Sequence, residues 1–156
     1  MTKVNLTLGV IFTFFTLSAT LCATAWADAS AGMVKVSKGR VSVERAGSVL
    51  AAIAGTRVYA ADKVRTGVDG SVGITLRDNT LLSAGPNSVI SLDKFTFNSS
   101  THAGTMSVGV KKGTLAVATG KIAKQTPESI DFHTPSSILG VRGTEFLIEV
   151  VASEEE

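Results

Sequence analysis

Residues able to do chemistry are few and scattered in this chain. Histidine occurs twice, as His102 and His133. A metal ion needs several nitrogen, sulfur or carboxylate ligands at short spacing or gathered by the fold, and neither histidine has a partner at such spacing. His102 sits in Asn98-Ser99-Ser100-Thr101-His102-Ala103-Gly104, a polar stretch that reads as an exposed loop. His133 lies on Ile130-Asp131-Phe132-His133-Thr134, whose alternation places it on a strand, facing water or a polar neighbour. Serine is plentiful, yet no G-x-S-x-G elbow marks a nucleophile. Asp62, Asp69, Asp78 and Asp93 stand at strand edges or turns, where a short carboxylate accepts backbone N–H groups, so turn chemistry is expected of them. Gly67-x-x-Gly70 and Gly140-x-x-Gly143 precede no helical pattern and do not read as a phosphate cradle. The expectation is a non-catalytic chain with no metal and no cofactor.

Arg142 is a charge between two glycines at an apolar strand end, with Ile138-Leu139 before it and Phe146-Leu147-Ile148 after. Burying an arginine is costly unless its planar fork meets a carboxylate or several carbonyls. Two readings follow: a recognition residue for an anionic ligand, or a staple tying the last strand to an acid such as Asp62 or Asp78. Gly140 and Gly143 flank it, and are expected to let backbones approach closely there.

The elements that must position these residues read as strands. Met33-Val34-Lys35-Val36-Ser37 and Arg40-Val41-Ser42-Val43-Glu44-Arg45 both alternate apolar with polar, which puts valines on one face. Lys38-Gly39 between them predicts a tight hairpin turn. Further strands are predicted at Lys63-Val64-Arg65-Thr66, Ser71-Val72-Gly73-Ile74-Thr75-Leu76, Thr80-Leu81-Leu82-Ser83 and Ser88-Val89-Ile90-Ser91-Leu92. Glycine, asparagine and proline clusters separate them. A pattern V-x-V-x-K-G-x-aliphatic-x-V occurs twice, beginning at Val34 and again at Val108, which implies either two convergent hairpins or two similar layers of a coiled β fold. Only residues 48–54 hint at a turn or two of helix. The expected fold is all-β, a compact solenoid-like or sandwich-like domain of short strands with Gly, Asn and Pro turns.

The front of the chain is different. Between Lys3 and Asp28 there is no charge, and Leu8, Val10, Ile11, Phe12, Phe14, Phe15 and Leu17 form an apolar middle. Ala25-Trp26-Ala27 then supplies an A-x-A cleavage site before Asp28. These are the three parts of a secretory signal, a helical segment over residues 1–27. The alternative is an uncleaved anchor, since the uncharged run is just long enough to cross a bilayer, which takes about 20 residues. Cys22, the single cysteine of the 156 residues, falls inside this segment, and Leu21 before it is too large for a lipidation site. Cleavage removes one base, Lys3, from 15 bases and leaves 14 against 13 acids, a net charge of +1. That balance gives no electrostatic reason to expect nucleic acid. The expected organisation is a signal over 1–27, a flexible start over 28–32, the β domain over 33–151 and an acidic tail over 152–156.

Several motifs in order resemble the FecR family. Thr134-Pro135 leading into Gly140-Val141-Arg142-Gly143-Thr144-Glu145-Phe146 is similar to the family's closing signature. Ala61-Asp62-Lys63-Val64-Arg65-Thr66-Gly67 resembles its D-x-aliphatic-x-T-G step, and Gly70-Ser71-Val72 with Leu76-Arg77-Asp78-Asn79-Thr80 its next strand pair. Gly85-Pro86-Asn87-Ser88 and Val110-Lys111-Lys112-Gly113 resemble later turns, so the likeness runs roughly from Val34 to Val150. The resemblance implies an all-β periplasmic domain making protein or ligand contacts, with Arg142, Gly140, Gly143, Thr144, Phe146, Asp62 and Asp78 as its recognition or structural residues. In regulators of this family the domain relays a signal from an outer-membrane transporter across the inner membrane to a sigma factor. No stretch here reads as the helical sigma-binding domain or as a transporter-binding domain. The expected role is therefore a stand-alone periplasmic module, acting on another envelope protein in signalling, or else a structural domain against cell-wall polymer or an outer-membrane assembly. Membrane contact is expected only if the first segment stays uncleaved, which would anchor the domain at the inner membrane.

Overall fold

The computed structural model describes residues 29–141 and 144–151. In chain order its strands are β1 (Gly32–Lys38), β2 (Val41–Arg45), β3 (Ser48–Ala51), β4 (Arg57–Val58), β5 (Lys63–Thr66), β6 (Ser71–Leu76), β7 (Leu81–Ala84), β8 (Val89–Phe97) and β9 (Gly104–Ala118). A one-turn helix α1 (Lys121–Gln125) and a 3-10 turn (Pro127–Ser129) follow, then β10 (Ile130–His133), β11 (Ile138–Gly140) and β12 (Glu145–Val150). The all-β class expected from the alternation is what the chain adopts.

Most of these strands are halves of longer ribbons. β1 runs on into β2, β5 into β6 and β7 into β8, while β9 continues unbroken. Each ribbon lies antiparallel to the next along both halves: β1 on β6 and β2 on β5, then β6 on β7 and β5 on β8, then β7 and β8 together on β9. One layer thus holds β1, β6, β7 and residues 113–118 of β9, with β4 and β12 at its ends. The other holds β2, β5, β8 and the first part of β9, ending in β3 on one side and in β10 and β11 on the other. The sheet is folded over along a crease where backbone bonds cross from ribbon to ribbon. Gly67 N–H donates to the Arg40 carbonyl (2.8 Å), Asn87 N–H to Gly67 (3.0 Å) and Gly85 N–H to Thr114 (3.1 Å). Val64, Ile90 and Val108 of one layer meet Ile74 and Leu82 of the other around a void of about 10 Å³. That is no larger than one water, so the two layers close on a packed interior.

This architecture revises three expectations. Lys38-Gly39 is not a hairpin turn, because β1 and β2 lie in different layers and do not pair. The repeated V-x-V-x-K-G pattern marks neither two hairpins nor two stacked units: it is where a ribbon turns the corner. Gly39 (φ +63) and Gly113 (φ +86) occupy the two corners, and a Cβ at either would run into Asp69 or Ser88 of the neighbouring ribbon. Only glycine combines that left-handed backbone with so close an approach. Residues 48–54 are not helical either. Ser48–Ala51 pairs with β2 through Val43↔Leu50 and Glu44↔Val49, and this pairing overrides a local preference. The helix forms instead at Lys121–Gln125, where the buried Ile122 anchors a crossover that carries the chain back to place β10 parallel to β9.

Candidate functional site

Two of the expected site residues are buried carboxylates, and each has its partners. Asp62 is fully buried. Arg45 of β2 grips it with both edges of its fork, Nε to Oδ1 at 2.8 Å and Nη2 to Oδ2 at 2.7 Å, while Tyr59 N–H donates to Oδ2 at 2.8 Å. The same guanidinium lies 4.3 Å over the Tyr59 ring and donates to the Arg57 carbonyl at 2.9 Å. Its hydrogen bond to Asp62 raises the Arg45 pKa above the ordinary arginine value, against an opposing desolvation and with help from the Asp62 charge. Asp78 is also fully buried; it accepts the Thr80 N–H at 3.1 Å and the Thr80 hydroxyl at 2.7 Å. The Thr80 hydroxyl in turn accepts Gly120 N–H at 3.0 Å, which ties the reversal before β7 to the end of β9. Turn chemistry is what both carboxylates perform.

The closing segment is only partly within view. Arg142 and Gly143 lie outside the described residues, as do Ala25, Ala27 and Asp28. Thr144 is exposed, with its carbonyl accepting Thr119 N–H at 2.8 Å. Phe146 packs edge-on against Phe132, centroids 5.0 Å apart at 82°. Among the described residues nothing approaches Gly140 closely, and a Cβ there would meet none of their atoms within 4 Å. β11 is a solvent-exposed edge strand that pairs, among the described residues, with β10 alone.

A polar cluster that sequence reasoning missed lies on β8, β9 and β10. Register places Ser91 and His133 on either side of Gly109, and Ser107 beside Asp131. A bulge between Leu92 and Lys94 turns the Asp93 side chain toward the same spot. His133 Nε2 is 3.0 Å from Asp93 Oδ2, and Nδ1 is 3.7 Å from Asp131 Oδ2. Ser91 donates to Asp93 at 3.1 Å and Ser107 to Asp131 at 2.6 Å. A Cβ on Gly109 would lie 2.5 Å from Ser91 Oγ and 2.7 Å from His133 Nε2. The signal in the sequence was that glycine itself, interrupting Val108-Gly109-Val110 where a strand wants a side chain. Both serine hydroxyls give their protons to carboxylates rather than to the imidazole, so the cluster does not arm a nucleophile. Among the described residues no three of His, Cys, Asp and Glu are arranged to hold a metal ion. His133 therefore faces polar neighbours and clasps β8 to β10 across β9. His102, by contrast, is exposed at a turn and stacks on Phe97.

Open clefts lie among the last described strands. β7 and β8 hold one flank of β9; β10 and β12 hold the other. Beyond them, β11 pairs only with β10 and β12 only with β9 among the described residues. Clefts of about 300 Å³ and 410 Å³ lie between β11 and β12 and continue along β12 to the turn at Thr134. Leu139, Leu147 and Val151 line them and are exposed. A further cleft of about 330 Å³ brings in Pro127, Glu128 and Ile130 on the other side of Gly140.

The fold and these clusters define an all-β scaffold, a sheet doubled over on itself whose buried polar groups pin turns and whose last strands stand open. A family model described as FecR protein matches residues 62–156, more than half of the chain, and the chain belongs to the FecR family. The match begins at Asp62, so it takes in β5 through β12 and leaves β1 to β4 outside it. No curated protein and no solved structure matches the chain.

Proposed function

We propose that this chain is a non-catalytic binding module of the bacterial periplasm that acts through contact with another envelope protein, in signalling. The observation that carries this reading is the open C-terminal end. Three exposed branched side chains, Leu139, Leu147 and Val151, line clefts beside two strand edges that are unpaired among the described residues, within the stretch that the family model covers. Solvent-exposed apolar side chains clustered in this way mark contact surfaces rather than surfaces shaped for water alone. Location in the periplasm rests on the basic start, apolar middle and Ala25-Trp26-Ala27 of the first segment. Among the described residues, no helix is long and apolar enough to cross a membrane.

The test is photocrosslinking in intact cells. A crosslinking side chain at Leu139 or Leu147 should capture a defined protein, and one at Lys35, on β1 across the layer, should not. Sedimentation of the chain with peptidoglycan in place of a protein adduct would replace this reading with a structural role on cell-wall polymer. N-terminal sequencing of the exported chain should find Asp28 first. An intact Met1 would make the same module a tethered one.

A further inference from the structure

The open end specifies more than a sticky surface, because β12 offers an ordered row of groups. Thr119 N–H bonds to the Thr144 carbonyl, which makes that pair a hydrogen-bonded one in the β9–β12 ladder. Antiparallel pairing alternates, so Phe146, Ile148 and Val150 turn their N–H and C=O groups toward β9. Glu145, Leu147 and Glu149 turn theirs to the free edge. An unpaired edge of this kind is a template for an extended chain, not for a helix.

The side chains along the edge set what that chain must carry. Glu145, Leu147 and Glu149 are exposed on the outer face, and neither glutamate is in an ion pair with a described residue. Phe146 and Ile148 point the other way, toward the core, and border the cleft that Leu139, Glu145 and Leu147 also line. No basic residue among those described lines the clefts, while Glu128 adds another exposed acid near β11. We propose that the free edge of β12 receives an extended segment of a partner protein in which two basic residues bracket three apolar ones. The bases lie opposite Glu145 and Glu149, the middle apolar residue opposite Leu147, and the other two fill the cleft over Phe146 and Ile148. Directly opposed residues on paired strands are within contact of one another, and opposite charges there are favourable.

Charge separates this occupant from others the chain itself could supply. Its own end, Glu154-Glu155-Glu156, would set acid against acid. Of the two end strands of a second copy, Ser48-Val49-Leu50-Ala51 of β3 carries no base, and β4, with Arg57, is only two residues long and cannot set bases opposite both glutamates. The pattern is a palindrome, so it fits in either direction.

This inference rests on the protein-contact reading above and is tested apart from it. The probes are two end-blocked peptides, Ser-Lys-Val-Ile-Val-Lys-Ser and its counterpart with glutamate for lysine, titrated into the exported chain. The lysine peptide should bind about tenfold more tightly than the glutamate peptide, an ionic-strength-dependent preference. Amide-exchange NMR should show new protection at Glu145, Leu147 and Glu149, with Phe146 and Ile148 already protected. Replacing both acids, Glu145→Lys with Glu149→Lys, alters exposed side chains alone and should invert the preference. Equal binding of the two peptides, no binding, a preference that the double replacement leaves unchanged, or protection on another strand would each overturn the proposal. A protein crosslinked at Leu147 alongside peptides that fail would overturn strand addition while leaving the protein-contact reading standing. Peptide binding without any captured protein would do the reverse.

Discussion

The Arg45 guanidinium presents Nε and Nη2 side by side to a carboxylate that has no contact with water. Removing it strands that carboxylate. Breaking a fully buried pair costs about 3–5 kcal/mol, but the Arg45 side chain is 35% exposed, and solvent screens part of the interaction. Arg45→Ala should therefore cost about 2 kcal/mol, read as a lower urea midpoint with an unchanged slope. The pH dependence follows from the raised pKa of Arg45. A base whose pKa is raised by folding contributes its stability in full below the unfolded value and loses it only as pH rises through the folded one. For arginine that lies beyond ordinary alkaline conditions, so this pair should hold wherever the fold is measured. Arg45→Lys should bring the loss down into the lysine range, around pH 10–11, and a denaturation series across that range would show it. Thr80 is the second such residue. Thr80→Val removes a donor from buried Asp78 and the acceptor of Gly120 N–H together, and should cost about 2–3 kcal/mol by the same denaturant titration. At this scale the sequence was half legible. Asp62 and Asp78 stood out as turn carboxylates, but nothing in Val41-Ser42-Val43-Glu44-Arg45 distinguishes the arginine that folds inward from an ordinary charge at a strand end. Asp62 is 17 positions away, and only the doubling of the sheet brings them together.

Glycines show how elements can be read correctly and connected wrongly. A break in alternation at Lys38-Gly39 or Gly85-Pro86-Asn87 says that the strand ends, and it did. It does not say whether the chain reverses or bends, because both need a residue tolerant of left-handed or crowded backbone. The reversal at Arg77-Asp78-Asn79 and the corners look alike in sequence, and only pairing to a neighbour tells them apart. Two variants separate strain from crowding. Gly47 (φ +81) has open space where a Cβ would go, whereas at Gly113 (φ +86) a Cβ meets the Ser88 backbone and side chain. Gly47→Ala should cost about 1–2 kcal/mol, the left-handed penalty alone. Gly113→Ala should cost about 3 kcal/mol or more, since the overpacked corner must move as well. Thermal unfolding of the pair gives the comparison. The helix α1 was out of reach for a different reason: five residues hold too little of a 3.6-residue period to register.

The whole molecule is larger than the stretch that carries its family. Residues 32–61 lie before the match, yet Val34, Val43 and Val58 from this part are buried to 0–1% exposure within the common core. Each fully buried valine is worth about 1.5–3 kcal/mol, and a domain has only about 5–15 kcal/mol to lose. A chain beginning at Asp62 should fail to fold, with a collapsed amide spectrum and no cooperative melt. A native-like spectrum would show that the matched part stands by itself. The all-β class was legible from alternation over much of the chain; the doubling was not, because it depends on several corners aligning across ribbons far apart in sequence.

The order in which the ribbons lie side by side has a temporal meaning. From the edge at β3 and β4 the sheet runs through β1–β2, then β5–β6, then β7–β8, then β9, so from β5 onward each ribbon pairs with the one synthesised just before it. A chain delivered end-first, threaded through a pore with its N-terminus leading, finds each template already laid down when the next length arrives. Nothing has to be held open for a distant partner until β10 and β12 come to cover the last flank of β9. Assembly can keep pace with delivery, and β12 arrives when β9, its partner among the described strands, is already in place.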